Sequence, residues 1–477
     1  MTNPNVTPVA DPDLVAPGMG QRPTNFRWII CALLFYVTTL NYIDRSIFGV
    51  LAADLQKNIG WNDVQFGYIN AAFTAAYALG FIFMGRFIDI VGTRVGYAIS
   101  LVIWTCAGIG TAFARTALGF GLARFFLGFG ESGNFPAAIK TVAEWFPQRQ
   151  RSTATGIFNA GSNVGAILAP FSVPIVVLAW GGYMYAMTPA AATTPAHAVS
   201  DAVKIHYGWP AAFFITPLLA AIWIVLWLVL YRTPEKSRFA NAAEVAVINE
   251  DGPVNAPQVA VRWRHIIPHP QAWAFMVGKF LTDPIWWFYL FWSGKFFEET
   301  FHVKLSGLAG PLILIYVLAD FGSIGGGWLS SILMKIGFSP NAGRKIAMLT
   351  CAICILPVCY APLTPHMWVA ATLIGIAAAA HQGFSANLFT LTSDMFPKRA
   401  VASVVGLGGL TGAIGGFIVQ AGAGWVKTIT GSYLIMFIIA GTVYILAFVC
   451  IHLLAPRLTP VKLHGGEGFP VDQVPSV

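Results

Sequence analysis

The sequence predicts an all-α integral membrane protein of twelve transmembrane helices folded as two pseudo-symmetric six-helix bundles. Three observations carry that expectation. The 477 residues are 56% hydrophobic and 10% charged, with a mean hydropathy of +0.67, a composition that excludes a soluble string of domains. Apolar runs of about 18 to 27 residues, each long enough to cross roughly 30 Å of hydrocarbon, recur twelve times. A loop motif of the first half returns in the second at a fixed offset.

Residues 1–26 are rich in Pro, Asp, Asn and Val without an apolar core, so they read as a disordered cytoplasmic tail and not as a signal peptide. Spans are expected at 27–50, 66–86, 95–113, 118–141, 152–178 and 209–231, which form the N-terminal bundle (27–231). A second set at 272–294, 306–332, 345–363, 366–392, 400–427 and 432–455 forms the C-terminal bundle (272–455). Between them, 232–271 carries Arg232, Glu235, Lys236, Arg238, Glu244, Glu250, Asp251, Arg262 and Arg264. It reads as a solvated cytoplasmic linker, with a short surface helix around Ala242 to Glu250 as the second choice. The stretch 181–208 is the longest external connection, expected to be a partly ordered cap, and 456–477 is a cytoplasmic tail.

Orientation follows from charge. About 15 of the 28 Lys and Arg lie in loops on the side of the N-terminus, against roughly 6 in the opposite loops. That asymmetry puts both termini in the cytoplasm. It also accounts for the net charge of +8 without a nucleic-acid partner. The six cysteines all fall in apolar runs and read as small buried hydrophobes, the Cys351/Cys354 pair included.

The repeat divides the chain. WFPQR at 145–149 is answered by MFPKR at 395–399, Glu144 by Asp394, and Gly156 and Gly165 by Gly406 and Gly415. Two copies of a loop followed by a glycine-rich helix imply halves related by an axis along the membrane normal. Gly161 and Gly165, and Gly408, Gly412 and Gly416, form small-xxx-small faces that let helix backbones approach.

GRFIDIVGTR, from Gly85 to Arg94, resembles the loop signature of the major facilitator superfamily. It matches at Gly85, Asp89, Gly92 and Arg94 and departs at Ile90, where a basic residue is usual. The resemblance implies the major facilitator fold and a cytoplasmic gate in which Asp89 helps hold the halves closed, joined here by Glu144 and Arg149. NYIDRS (41–46), RFFLGFGESGNFP (124–136) and EWFPQRQR (144–151) are similar to the anion:cation symporter branch. GKFLTDPIWWFYLFW (278–292), ADFGSIGGGWLSS (319–331) and HQGFSANLFTLTSDMFPKRAV (381–401) resemble the hexuronate transporters. The likeness implies a proton-coupled symporter in the cell membrane, taking a sugar acid such as galacturonate or glucuronate by alternating access, with galactonate, another aldonate or an aromatic carboxylate as the alternative cargo.

Four ionisable residues fall where the chain should cross lipid: Asp44 and Arg45 in the first span, Arg124 and Glu131 in the fourth. Such charges are kept where a water-filled path or a partner repays them. Arg124 and Glu131 are two helical turns apart on one face. Asp44 and Arg45 are about 100° apart and point to different neighbours, with Tyr42 on the Arg45 side. A guanidinium stays charged and matches a carboxylate with its fork, so Arg45 is expected to take the anionic end of the substrate. By the resemblance, Arg124 tunes and gates the acids. A buried acid beside an arginine can exchange a proton when substrate replaces one partner, which makes Asp44 and Glu131, with Arg124, the proton-coupling set. The plainer reading of each is a structural ion pair.

Sugars call for aromatic faces and amides. Tyr77, Asn163, Trp286, Trp287, Tyr289, Gln382 and Asn387, with Ser385, make the expected polar and aromatic ring. Pro284 bends the seventh span beside it. Lys279 and Asp283 read as a neutralising i, i+4 pair, Asp320 as an acid without an obvious local partner, and His381 as a structural hydrogen-bonder; Asp283, Asp320 and His381 are secondary site candidates. No cofactor is expected, protons being the coupling ion, and the chain is expected to work as a monomer in the bilayer with a small organic anion as its cargo. No H-E-x-x-H, G-x-S-x-G or paired catalytic aspartates occur, which argues against an enzyme. The paired arginines argue against an exporter of lipophilic cations.

Overall fold

The computed structural model describes residues 22–195, 197–250, 263–396 and 398–461. The expected tails before residue 22 and after residue 461, and linker positions 251–262, lie outside the described residues. The spans are Arg27–Val50, Asp63–Val91, Thr93–Phe113, Ala117–Glu131 continued by Asn134–Trp145, Gln148–Ala186 and Asp201–Leu230. Then come Pro270–Phe301, Ala309–Lys335, Pro340–Ile355 extended by the 3-10 turn Leu356–Tyr360, Met367–Met395, Lys398–Thr430 and Leu434–Leu454.

Among the described residues, nine helical segments are long and apolar enough to cross a membrane on length and composition. The three spans outside that set are the first, fourth and seventh. These carry Asp44 and Arg45, Arg124 and Glu131, and Lys279 and Asp283, so the polar residues that lower their hydropathy are those of the candidate site. The fourth is also interrupted at Ser132–Gly133.

Packing repeats with a shift of six spans. The first packs on the fifth, the second on the fourth and the third on the sixth. In the other half the seventh packs on the eleventh, the eighth on the tenth and the ninth on the twelfth. The halves meet through the second and eleventh spans, the fifth and eighth, and the first and seventh. The motif offset acquires a structural meaning. Glu144 accepts from Thr93 Oγ1 at 2.7 Å, at the start of the third span, and its counterpart Asp394 accepts from Arg344 Nε at 2.5 Å, at the start of the ninth. The fifth span leans on the first at Gly161, where a Cβ would meet the Phe35 carbonyl at 2.6 Å, which explains the small residue there.

Two expectations change. The external stretch 181–208 is largely helical, because the fifth span runs to Ala186 and the sixth begins at Asp201. The linker is not simply solvated. Ala242–Ile248 is a helix whose Glu244 is fully buried. Its carboxylate accepts from the backbone N–H of Phe26 (3.0 Å) and Arg27 (2.9 Å) and pairs with Arg27 Nη1 at 3.1 Å. A carboxylate beside the free N–H groups that open a helix is favourably placed, so the linker anchors the start of the first span.

The tightest contacts between halves gather at the end bearing Val50, Asp63 and Phe301. A Cβ on Gly49 would strike the Leu290 carbonyl at 2.6 Å, and Phe66 stacks edge-on against Trp292 at 4.7 Å. Lys295 pairs with Asp63, Lys57 with Glu298 at 2.5 Å, and Trp425 Nε1 donates to the Tyr68 hydroxyl at 2.8 Å. This end is sealed.

Candidate functional site

Arg45, with its partner Glu131, and Arg124 lie at the seam between the halves. Arg45 Nε donates to Glu131 Oε2 at 2.6 Å, and the two side chains are 4% and 0% exposed. Three rings of the N-terminal half surround the guanidinium, Tyr42 (5.0 Å), Phe73 (5.6 Å) and Tyr77 (4.6 Å). Trp287 of the C-terminal half closes the box at 5.4 Å. Such faces stabilise a desolvated cation.

Asp44 turns the other way, as the 100° offset requires. It accepts from Trp104 Nε1 at 2.5 Å and from the Thr216 hydroxyl, in the third and sixth spans. It therefore sits behind the first span, inside the N-terminal half and away from the seam that Arg45 faces.

The arginines divide their work differently from the sequence reading. Arg45, expected to be open to the substrate, holds Glu131. Arg124, expected to hold the acids, makes no hydrogen bond with any of its three side-chain nitrogens. It is 1% exposed and lies against Phe48 (4.9 Å), Phe73 (4.4 Å) and Phe291 (5.2 Å). Gly128, one turn on, gives the fourth span its close approach to the second, since a Cβ would run into the Phe73 backbone.

The polar ring is only partly assembled. Tyr42, Tyr77 and Trp287 meet around Arg45, and Gln382, on the tenth span, is half-buried. Asp320, which lacked a local partner in the sequence, accepts from Asn163 Nδ2 across the two halves. Trp286 stacks on His381 at 5.3 Å, and His381 Nδ1 is 2.6 Å from the Tyr444 hydroxyl, a structural chain inside the C-terminal half. Two candidates are placed elsewhere. Tyr289 is 2% exposed and its hydroxyl has no partner; it points into the C-terminal half because it lies on a different helical face from Trp287. Asn387 Nδ2 spends its donors on the carbonyls of Gly326 and Gly383, both at 2.9 Å, bracing the tenth span on the eighth. Lys279 and Asp283 form the expected pair at 2.7 Å.

At the gate, Gly92 has φ +88° at the turn between the second and third spans, a conformation that favours glycine. Gly85 faces open space. Arg94 donates to the Leu228 carbonyl, and the Tyr231 hydroxyl donates to Glu144. The side chains of Asp89 and Arg149 lie outside the described residues.

Sequence reasoning missed Phe48, Phe73, Phe291, Trp104 and Thr216. Phe73 and Phe291 were findable in principle, each standing one helical turn from a ring already singled out, Tyr77 and Trp287. Trp104 and Thr216 carry no such signal.

A bundle of two six-helix halves with charges of both signs buried at the seam defines a membrane carrier and not an enzyme. The chain belongs to the major facilitator superfamily, whose sequence profile matches residues 34–420. It is 30% identical over 389 residues to the hexuronate transporter of Escherichia coli (strain K12), covering 81% of this chain and 84% of that one. It is 30% identical over 316 residues to the galacturonate transporter of Dickeya chrysanthemi, covering 65% and 83%. In structure it superposes on a D-xylose-proton symporter with a TM-score of 0.69 at 14% identity, covering 91% of this chain and 99% of that one.

Proposed function

We propose that the protein is a proton-coupled symporter of a sugar acid, with hexuronates such as galacturonate or glucuronate as its substrates. The observation that carries the reading is the Arg45–Glu131 pair inside its aromatic box at the seam. The relatives' hexuronate and galacturonate cargo supports the choice of anion. A guanidinium already shaped to a carboxylate can exchange Glu131 for a substrate carboxylate once Glu131 takes a proton. The four charges of Asp44, Arg45, Arg124 and Glu131 then shift from net zero to net positive, which favours an entering anion. Trp287, Tyr77 and Tyr42 offer ring faces to the C–H surface of a sugar, and Gln382 and the Asn163–Asp320 bridge offer partners for its hydroxyls.

In the cycle we propose, Asp44 and Glu131 load protons from outside, substrate binds, and the halves rock about the site so that release to the cytoplasm follows deprotonation. The sealed Asp63 end is then the external one, and both termini are cytoplasmic in the cell membrane, in keeping with the excess of Lys and Arg on that side. The carrier acts as a monomer, with no cofactor beyond the coupling proton.

Uptake competition in proteoliposomes tests the substrate class. Galacturonate and glucuronate should displace labelled galacturonate, galactonate should do so more weakly, and a simple aromatic carboxylate should not. Competition by the aromatic acid alone would transfer the site to another class of organic anion.

A further inference from the structure

We propose that Asp283 and Lys279 act as one unit that restricts this carrier to acids with a single carboxylate: Asp283 repels a second carboxylate and keeps Lys279 from accepting it. The proposal rests on the sugar-acid reading above and specifies which sugar acids fit.

Asp283 stands one helical turn before Trp287 on the same face of the seventh span. The Trp287 ring covers Arg45 at 5.4 Å. A six-carbon acid gripped by Arg45 therefore extends past Trp287 toward Asp283. The two ends lie along one strip of the eleventh span, since Gly412 and Gly416, one turn apart, face Asp283 and Trp287 respectively. Lys279 Nζ reaches Asp283 Oδ1 at 2.7 Å, and the carboxylate is the more accessible partner, 17% exposed against 9%. Lys279 is held further by the Phe389 ring, 4.5 Å from its ammonium. The place of Asp283 is built for it: a Cβ on Gly412 of the eleventh span would collide with its Oδ2.

A uronate or aldonate presents hydroxyl or carbonyl groups at its far end, and a hydroxyl can donate to Asp283. An aldarate presents a second carboxylate. Like charges brought together in a poorly solvated site are strongly disfavoured, and specificity is commonly set by such a repulsive element as well as by attraction. Lys279 is the cation beside Asp283 that could offset the repulsion, and it is already committed to Asp283. Neutralising Asp283 should turn the same position from a barrier into a receptor.

The test is calorimetric binding of D-galacturonate, D-galactonate and D-galactarate to the purified full-length carrier at one pH. The wild type should bind the two monocarboxylates and bind galactarate at least about tenfold more weakly. In Asp283→Asn the ratio of galactarate to galacturonate affinity should rise about tenfold or more, and in Asp283→Asn with Lys279→Gln that gain should vanish. Lys279→Gln alone, which leaves Asp283 in place, should discriminate more sharply than wild type and supplies the answer if the Asp283 variants do not fold. Equal binding of galactarate and galacturonate by the wild type overturns the proposal while leaving the sugar-acid reading intact, as does a gain that survives in the double variant. Failure of all three acids to bind the wild type overturns both.

Discussion

Arg45 and Glu131, 86 residues apart in the chain, meet at 2.6 Å with almost no solvent on either side chain. A buried pair of this kind is weak evidence for stability, but removing one partner strands the other. That stranding costs about 3–5 kcal/mol, or roughly two to nearly four orders of magnitude in an equilibrium. Glu131→Gln keeps the shape and removes the charge. In that variant counterflow exchange of galacturonate should persist while uptake ceases to depend on a proton gradient. Arg45→Ala should lose binding by about 100-fold or more in a calorimetric titration.

Asp44 donates nothing to the seam and is held by Trp104 and Thr216. If it loads a proton as proposed, Asp44→Asn should also retain counterflow and lose proton-driven accumulation. Trp104→Phe, which removes one donor to the carboxylate, should shift the pH at which uptake is half-maximal. An unmoved pH profile in both variants would confine Asp44 to a structural role.

Arg124 keeps its charge among three phenylalanine rings without a hydrogen-bond partner. Replacing an unpaired buried charge by an apolar side chain of similar length commonly stabilises a fold. Arg124→Met should raise the melting temperature by roughly 2 °C or more while abolishing net uptake. A lower melting temperature would mean that the guanidinium contributes more through its rings than its burial costs.

The sealed end carries its own pH dependence. Asp54, in the short helix Ala52–Ile59 beyond the first span, is pushed up to about 7 by burial and by Glu298, with Lys57 opposing. The closed end therefore holds the proton of Asp54 more tightly than an open, hydrated end would. The linkage has one sign: the contribution to closure is full at pH values below the ordinary carboxylate range and is lost as pH rises toward 7. Crosslinking a cysteine pair placed at Lys57 and Glu298 would disturb the contact, so spectroscopic distances from labels further along the two helices are preferable. They should show the end opening more often at pH 8 than at pH 5, and Asp54→Asn should flatten that difference.

At the opposite end, Glu244 is fully buried against Arg27 and the first backbone N–H groups of the first span. Glu244→Ala leaves Arg27 and those donors uncompensated and should destabilise the protein by about 3 kcal/mol. Glu244→Gln should recover part of the loss, read by thermal unfolding in detergent.

Much of the architecture was legible because spanning a bilayer requires long apolar helices and because the duplicated loop marks equivalent points in each half. The site was legible in its charges: Asp44, Arg45, Arg124 and Glu131 stand out against lipid-soluble neighbours. Their pairing was not. Helical spacing correctly separated Asp44 from Arg45, yet it does not reveal that Trp104 and Thr216 wait on one side and Glu131 on the other. Tyr289 and Asn387 were misjudged for a related reason. Their helices carry polar residues on more than one face, so no amphipathic stripe tells which face looks into the seam. Contacts that cross between halves, such as Asn163 with Asp320, join residues 157 positions apart and leave no local trace at all.

The central claim is that a substrate carboxylate and a proton take the place of one buried ion pair. A pH-sensitive dye trapped inside proteoliposomes tests it directly when galacturonate is added outside without any imposed gradient. The account predicts internal acidification with the wild type and none with Glu131→Gln. Accumulation of labelled galacturonate by the wild type with no change in internal pH would contradict it.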